Sequence, residues 1–405
     1  MFKKNNSKLR NIIIVANCTW YLYNFRKELL AELNNKGFRL ILISPKDIYY
    51  EKISKYFIKS KKLFLKRGSE NLIFEAITLL NILYLYLRYK PEIVHHFTIK
   101  PSIYGAIIAR FLGVNNVINH ITGLGPSFFS NRKKIKILNI IFKPLYVYAF
   151  NNCRSINIFH NQTDRDTFVN KKFSKINNNI IIKGSGVDTD YFNPYGIKEE
   201  FNEEINILFP ARIIKEKGII ELIDACEDLW KENYKFTLNI AGDIDTNNKS
   251  SLREKNLEII DKLKNINFFG KSEDMRNVYK HSDIVVLPSW REGLSKSLLE
   301  ASSMALPIIT SDVPGCNDVI KNNYSGLLVP PRDKESLKLA IKKYINNQSV
   351  ALSYGSKARN NVIKYFISNH LCKLFAIFFI SKGIYKISWR SVINISTCCC
   401  SRICL

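Results

Sequence analysis

The sequence has no long, uninterrupted apolar run. Its most apolar long stretch, Asn71–Tyr89, includes Glu75, Asn81 and Arg88, and falls short of the roughly 20 clean apolar residues of a transmembrane helix. The apolar run Ile12–Ala16 is too short for the hydrophobic region of a signal peptide. The sequence therefore predicts no membrane span, and it predicts an amphipathic helix over Asn71–Tyr89 that either faces the core or lies at a membrane interface.

The sequence also lacks the cysteine pattern of a disulfide framework. Five cysteines are scattered singly: Cys18, Cys153, Cys226, Cys316 and Cys372. The remaining four lie in the tail between residues 398 and 404, with no His nearby and no spacing typical of a zinc site. We therefore expect reduced cytosolic thiols rather than structural disulfides.

Acidic residues are scarce, since 35 of them face 61 Lys and Arg, for a formal net charge of +26. No zinc-finger spacing, RNP-like aromatic motif or helix-turn-helix signature accompanies this charge, so nucleic-acid binding is not predicted. Two explanations remain: a biased composition without function, or a cationic surface that binds anionic lipid, to which each basic residue contributes about 1 kcal/mol.

The 405 residues suggest two or three domains, and 46% hydrophobic with 24% charged residues is ordinary for a folded protein. Two series of short, unalternating apolar runs predict buried parallel strands. The first series comprises residues 12–16, 40–44, 93–97, 117–121, 156–160 and 180–183. The second comprises residues 205–209, 236–241, 266–269, 284–287, 306–310 and 326–329. We predict an α/β protein with two doubly wound, Rossmann-like domains that face each other across a cleft.

A turn-rich segment, Gly184–Pro194, separates the two series and is typical of a domain joint. The predicted domains are residues 1–190 and 191–365. Residues 366–405 form a third segment, predicted to hold an uncertain C-terminal helix and a Cys-rich tail.

Basic and acidic residues follow the strands of the second domain. Arg212 and Lys217 lie between a strand and a helix predicted to begin near Ile219, where free N–H groups and the helix dipole favour an anion such as a diphosphate. Glu292 and Glu300 lie eight residues apart; if a loop runs into a helix there, their backbones are roughly 12 Å apart on one side of its axis. Together these four side chains predict a nucleotide-sugar pocket.

Two turns add backbone donors to this predicted pocket. Gly293 precedes a predicted helix over Leu294–Ala305, whose N-terminus offers N–H groups. The turn Pro314–Asn317 is expected to offer further free N–H groups.

Five ordered motifs in the second domain resemble the family 4 retaining glycosyltransferases, which have the GT-B fold. They are PARIIKEKGI, NIAGD, DIVVLPSWREGLSKSLLEA, PIITSDVPGCNDVI and SGLLVPPRD. In the first domain, residues 94–125 resemble the subset that adds an N-acetylhexosamine or hexose to a polyprenyl-diphosphate-linked sugar. The resemblance implies that the first domain binds the acceptor and the second binds the nucleotide-sugar.

The resemblance also implies a role for each site residue. Arg212 and Lys217 would stabilise the leaving diphosphate, Glu300 would hold the ribose hydroxyls, and Glu292 would contact the transferred sugar. Lys100 is expected to face the acceptor, and the turn from Thr122 to Gly125 the donor diphosphate. The remaining predicted donor-binding positions are Gly123, Gly242, Gly293, Leu294, Ser295 and Gly315.

The chain departs from the family pattern at three places. The loop Ala16–Tyr21 has no Gly, Thr122 stands where many relatives have His unless His120 substitutes, and Ala305 replaces a common Gly. His95 and His96, at a strand end, are interpreted as structural rather than catalytic.

No cofactor or metal is predicted. The D-x-D spacings at residues 164–166, 188–190 and 243–245 do not follow strands as metal ligands do in the other major glycosyltransferase fold, except at Asp243. Arg212 and Lys217 are available to neutralise the diphosphate instead.

The predicted function is transfer of a sugar, expected to be an N-acetylhexosamine, from a UDP-sugar to a lipid-linked saccharide in surface polysaccharide or glycan assembly. The expected location is cytoplasmic, peripheral on the inner face of the membrane, on an anionic lipid surface. Two alternatives are a catalytically impaired, membrane-associated GT-B protein and a UDP-N-acetylglucosamine 2-epimerase.

Overall fold

The computed structural model describes residues 11–66, 71–124, 143–195, 200–201, 204–244, 251 and 264–367. The predictions made for Gly125, Asp245, Cys372 and the cysteines of the tail lie outside the described residues.

The first sheet has seven parallel strands in the order β3-β2-β1-β4-β5-β6-β7. Its strands are β1 Asn11–Ala16, β2 Arg39–Ser44, β3 Lys59–Lys62, β4 Ile93–Phe97, β5 Asn116–Ile121, β6 Ser155–Phe159 and β7 Asn179–Ile181. The connecting helices are α1 Thr19–Phe25, α2 Lys27–Asn35, α3 Tyr50–Ser54, α4 Leu72–Tyr89, α5 Ile99–Phe111 and α6 Gln162–Asn170, and residues 143–150 are also helical. Apolar side chains of α1–α3 and of α4–α6 form two separate cores, so both faces of the sheet are covered.

The second sheet has six parallel strands in the order β10-β9-β8-β11-β12-β13. Its strands are β8 Ile205–Phe209, β9 Phe236–Ala241, β10 Ile266–Gly270, β11 Ile284–Leu287, β12 Ile308–Ser311 and β13 Leu327–Val329. Its helices are α7 Ile219–Lys231, α8 Met275–Lys280, α9 Lys296–Ser303, α10 Lys334–Asn346 and α11 Gln348–Tyr365. After α11, Ile367 forms a parallel bridge with Val187, whose side chain is buried in the core of this second sheet.

The prediction of two doubly wound parallel sheets is confirmed, and all twelve predicted strands lie within two residues of the observed bounds. The structure has one further strand, β3, which the apolar pattern missed because its sequence is Lys-Ser-Lys-Lys. An edge strand pairs on one side only and can expose its side chains, so it needs no apolar pattern.

The amphipathic helix predicted over Asn71–Tyr89 is α4, which Asn71 caps through its side chain. Among the described residues, α4 alone has the length and composition to cross a membrane, and 22% of it is buried. Its inner face belongs to the core of the first domain, where Ile82, Leu85 and Tyr86 are buried. The prediction of a helix with one core-facing side is therefore confirmed.

Ala305 has a φ of +59°, so the predicted departure from Gly falls at a left-handed position. The N–H of Ala305 donates to Ser302 and that of Leu306 to Ala301, the two bonds of a Schellman motif at the end of α9. Because a side chain in this conformation costs about 1 kcal/mol, Ala305→Gly should raise the free energy of unfolding by about 0.5–1 kcal/mol. Urea unfolding would measure this, and a destabilised variant would contradict it.

Candidate active site

The loops that follow β8 and β11 meet at Glu292. Lys217, in a short 3-10 turn after β8, forms an ion pair with the Glu292 carboxylate, and the Ser289 hydroxyl donates to the same oxygen at 2.8 Å. Both charged side chains are largely buried. The structure thus joins two of the predicted site residues, 75 positions apart, through a direct charge contact.

Two glycines permit the close packing of these loops. A Cβ at Gly242 would lie 1.9 Å from the Ala211 carbonyl oxygen, and a Cβ at Gly315 would lie 2.6 Å from the Glu292 carbonyl oxygen. No side chain fits at either position. Gly242 therefore supports the backbone next to Arg212, and Gly315 supports the backbone of Glu292.

Glu300 lies inside α9 and is buried. The Tyr279 hydroxyl donates to its carboxylate at 3.2 Å, and Lys296 Nζ lies 3.7 Å from the other carboxylate oxygen. Burial raises the pKa of Glu300, and the charge of Lys296 opposes that rise. Ser297, one turn earlier, donates to the Pro210 carbonyl at 2.7 Å, which fixes α9 against the loop that carries Arg212.

The turn Pro314–Asn317 differs from its prediction. The N–H of Gly315 donates to Asp318 at 2.9 Å, and those of Cys316 and Asn317 donate to the Val313 carbonyl. The expectation of free N–H groups at this turn is wrong, because Val313 and Asp318, which flank the turn, already accept them. The turn instead accepts the N–H of Ser295, the residue before α9, at the Gly315 carbonyl.

Gly293 lies at a close contact between the second domain and the first. A Cβ on Gly293 would lie 2.1 Å from the Thr122 carbonyl oxygen, and a Cβ on Gly123 would lie 3.9 Å from the Gly293 Cα. The Asn161 side chain donates to the Gly293 carbonyl at 2.7 Å. The neighbouring Leu294 packs against Gly184 in the joint between the domains. The structure therefore brings predicted positions of both domains into direct contact.

A buried ion pair reinforces this contact. Arg291 donates to the carboxylate of Asp164, which is fully buried in the first turn of α6. Asp164 also accepts the backbone N–H of Leu124, in the turn that begins at Thr122. Burial raises the pKa of Asp164, and Arg291 opposes the rise. Sequence reasoning considered Asp164 only within a D-x-D spacing and missed its role as the link between both loops.

The side chain of Asp47 accepts backbone N–H groups of the Gly-free loop that follows β1. Asp47 accepts the N–H of Thr19 at 2.7 Å and of Trp20 at 3.1 Å, and it also bonds the Thr19 hydroxyl. The carboxylate therefore occupies the N-terminus of α1. A donor diphosphate cannot use those N–H groups while Asp47 holds them.

The strand ends of the first domain carry a buried histidine cluster. A guanidinium nitrogen of Arg26 lies 3.0 Å from His120 Nε2 and 3.1 Å from His160 Nε2, and the two Nε2 atoms are 2.8 Å apart. Burial, with the Arg26 charge as a second cause, lowers the pKa of both histidines well below the ordinary value. His120 is thus held neutral inside the domain.

His96 is buried and bonded to side chains of the first domain, as expected for a structural histidine. It bonds the Tyr86 hydroxyl at 2.7 Å and the Asn119 side chain at 2.8 Å, and burial lowers its pKa to about 4. Lys100, expected at the acceptor, forms an ion pair with Glu75 at 2.6 Å. In the described ranges, no group of three His, Cys, Asp or Glu side chains is arranged to hold a metal ion.

Family models match both halves of the chain. The model described as "Glycosyl transferases group 1" matches residues 196–365, and the one described as "Glycosyl transferase 4-like" matches residues 11–161. Together they cover twelve of the thirteen strands, all but β7, and the loops that follow β5, β8 and β11.

Similar proteins are named as sugar transferases. One is the N,N'-diacetylbacillosaminyl-diphospho-undecaprenol alpha-1,3-N-acetylgalactosaminyltransferase of Campylobacter jejuni, 25% identical over 357 residues, which are 85% of this chain and 92% of the relative. Another is the UDP-Gal:alpha-D-GlcNAc-diphosphoundecaprenol alpha-1,3-galactosyltransferase of Escherichia coli, 26% identical over 73% of this chain and 77% of the relative.

Solved structures share the fold. A glycosyltransferase from Rickettsia africae superposes with a TM-score of 0.71 at 21% identity, over 94% of this chain and all of that one. Anabaena HepE in complex with UDP and glucose superposes with a TM-score of 0.72 at 16% identity, over 91% of this chain and 99% of that one.

Two parallel-sheet domains that meet at the loop of Glu292 and Gly293 form the GT-B fold. The chain belongs to the family 4 glycosyltransferases: its first domain matches the "Glycosyl transferase 4-like" model and its second domain the "Glycosyl transferases group 1" model.

Proposed function

We propose that this enzyme transfers a sugar, an N-acetylhexosamine or a hexose, from a UDP-sugar to a lipid-linked saccharide in polysaccharide or glycan assembly. The observation that carries the proposal is the Lys217–Glu292 ion pair, placed where the loops of both domains meet. A cation for the leaving diphosphate and a carboxylate for sugar hydroxyls are the groups that such a transfer needs at its reacting bond.

The relatives support the choice of acceptor. The Campylobacter and Escherichia proteins are both named for transfer to a saccharide on an undecaprenol diphosphate, and both names specify an alpha-1,3 linkage. Transfer with retention of the donor configuration fits those linkages. These names also favour a transferase over a 2-epimerase or a catalytically impaired protein.

In the proposed reaction, the diphosphate of the donor competes with Glu292 for Lys217. Arg212 and Lys217 stabilise the charge that develops on the leaving diphosphate, in a closed site where water does not screen it. Glu292, released from Lys217, accepts hydrogen bonds from the transferred sugar, and Glu300 accepts those of the ribose. No metal ion is assigned to the reaction.

Labelled UDP-sugars incubated with a membrane lipid extract test the proposal. We expect label in the lipid phase from one donor, and we expect activity to persist in EDTA. No transfer from any UDP-sugar would overturn the proposed function. Loss of activity in EDTA that manganese restores would overturn metal independence alone.

A binding experiment should distinguish the roles of the Glu292 and Glu300 carboxylates. Glu300→Gln should weaken the binding of UDP and of the UDP-sugar by the same factor, at least about tenfold, because one charged hydrogen bond contributes about 1.5–3 kcal/mol. Glu292→Gln should weaken only the binding of the UDP-sugar. Isothermal titration calorimetry with UDP and with the active donor measures both. Equal effects of the two changes on UDP would contradict the division of roles.

Glu300→Gln should also stabilise the enzyme without ligand. Because burial raises the pKa of Glu300, the folded state binds this proton more tightly than the unfolded chain, and stability falls as pH rises between the two pKa values. Glutamine does not ionise, so the variant does not lose this stability as pH rises. The melting temperature of the variant should exceed the wild-type value at pH 7, and the difference should shrink below about pH 4, the ordinary glutamate range.

The proposed location is the cytoplasmic face of a membrane, to which the enzyme binds peripherally. A lipid-linked acceptor places its saccharide at that surface, and the net charge of +26 favours anionic lipid.

A further inference from the structure

We propose that the outer face of α4, together with the lysine-bearing segment 59–66 beside it, is the surface by which this enzyme binds an anionic lipid bilayer. The inference rests on the proposed function, and it adds the location and the orientation of the membrane contact.

The outer face of α4 is apolar and exposed. Its large side chains, with their exposed fractions, are Ile73 (74%), Ile77 (45%), Leu80 (65%), Tyr84 (54%) and Leu87 (53%). Steps of three or four residues align them in one stripe, about 21 Å long at 1.5 Å per residue. Such a contiguous apolar surface is typical of an interaction site rather than of ordinary solvent exposure.

No acidic side chain interrupts the stripe. Glu75 is the only acidic residue of α4. It is half-buried and turned toward α5, where it bonds Lys100 Nζ at 2.6 Å and the Tyr104 hydroxyl at 2.7 Å. The face that remains outside is therefore free of the charge that would oppose contact with lipid.

The inner face holds α4 in the domain. Ile82 and Tyr86 are buried, and the Tyr86 hydroxyl bonds His96 below the sheet surface. The Thr78 hydroxyl donates to the Phe64 carbonyl at 2.6 Å. Because these side chains are fixed in the core of the first domain, the helix cannot leave the domain to cross a bilayer. It can only lie along one, as interfacial helices do.

Basic side chains flank the stripe along its length. Segment 59–66 runs antiparallel to α4: Lys59 lies 5.7 Å from the Tyr89 ring, the Phe64 N–H donates to Asn81, and the Lys66 carbonyl lies near Lys100. Its exposed side chains are Lys59, Lys62, Phe64 and Lys66. Arg88 and Lys90 add two exposed cations at the C-terminal end of the helix.

An apolar stripe bordered by one sign of charge fits an anionic bilayer. The apolar side chains enter the boundary between headgroups and acyl chains while the cations meet the headgroups. A second copy of this chain would instead bring two rows of lysines together, which repel. The charge pattern therefore selects lipid over self-association.

The orientation suits a lipid-linked acceptor. The N-terminal turn of α4, where Glu75 contacts Lys100, lies beside the start of α5. That start follows the carboxyl end of β4, the sheet edge at which the loops of the site emerge. A bilayer under α4 thus lies next to the edge where the acceptor saccharide must enter.

Vesicle sedimentation without any substrate tests this surface. The full-length protein should bind vesicles that contain anionic phosphatidylglycerol more tightly than pure phosphatidylcholine vesicles, and high salt should weaken the binding. Ile77→Ser combined with Leu80→Ser and Leu87→Ser should lower binding at least about tenfold. Lys59→Gln with Lys62→Gln and Lys66→Gln should lower it similarly and remove most of its salt dependence.

Leu339→Ser is the matched control, because Leu339 is 63% exposed on α10 in the second domain and should leave binding unchanged. Wild-type vesicle binding by both triple variants would overturn the proposal. So would a change from dimer to monomer in the apolar variant, because the stripe would then be a contact between copies.

Transfer to a detergent-solubilised acceptor separates this inference from the proposed function. Both triple variants should retain wild-type transfer there, since neither touches the site. If the wild-type enzyme binds vesicles through α4 but transfers no sugar, the proposed function is wrong and the proposed membrane-binding surface is supported. If the enzyme transfers sugar but both variants bind vesicles as the wild type does, only the proposed membrane-binding surface is wrong.

Discussion

Replacing Lys217 with methionine should lower kcat by about 10²–10³-fold, the effect expected when one preorganised group that stabilises a developing negative charge is removed. Methionine keeps the length and apolar stem of the side chain and removes only its charge. Since Lys217 lies in a short turn between β8 and α7, its side chain is held beside Glu292 before the donor binds. Steady-state kinetics with saturating donor and acceptor would measure the loss.

Lys215→Met is the matched control for this change. Lys215 lies in the same 3-10 turn but is exposed, so the variant should keep wild-type kcat. The Lys217 variant should also lose affinity for UDP, because the diphosphate is present in both ligand and leaving group. A Lys217→Met enzyme with wild-type kcat would show that another cation, such as Arg212, supports the leaving group alone.

The strands could be predicted because burial on both faces demands a continuous apolar run. Ile284–Leu287, for example, is completely buried in β11 and reads as a strand without any tertiary information. The lysines of β3 carry no such signal, since an edge strand obtains its hydrogen bonds from β2 while its side chains stay in solvent. What the apolar pattern detects is burial, and it identifies strands only where they are buried.

The site residues on motif loops were predictable for a different reason. Lys217 and Glu292 each follow a strand of one parallel sheet, and the carboxyl ends of such strands share an edge, so their proximity follows from topology. The contact between Arg291 and Asp164 spans 127 positions and two domains. Nothing in either local sequence encodes the relative placement of the domains, so only the structure could show that pair.

A local hydrogen bond explains why the prediction for the turn at Gly315 failed. The N–H groups of the turn at Gly315 were expected to be free because the turn carries Gly and Pro, but Asp318 lies three residues away and accepts one of them. Asp47 similarly fills the N-terminus of α1 from 28 positions away. A nearby carboxylate satisfies such donors before any ligand arrives, and a turn motif alone does not reveal it.

Gly293→Ala should reduce kcat about 100-fold and leave UDP affinity within about threefold of wild type. The added Cβ would lie 2.1 Å from the Thr122 carbonyl, so the contact between the domains must open by about 1 Å, a displacement that can cost about 10² in rate. UDP binding survives because Lys217 and Glu300 both belong to the second domain. Kinetics and calorimetry on the same preparation would separate the two effects.

Gly270→Ala is the control, because its added Cβ would find nothing within 4 Å. Its φ of +61° makes the change cost about 1 kcal/mol of stability, which is more backbone strain than Gly293→Ala introduces, since Gly293 has no positive φ. If Gly270→Ala keeps kcat while Gly293→Ala loses it, the loss comes from the domain contact and not from instability. Wild-type kcat in Gly293→Ala would mean that turnover does not require Gly293 and Thr122 to approach this closely, and the reacting geometry would then have to be assembled from the second domain and the acceptor alone.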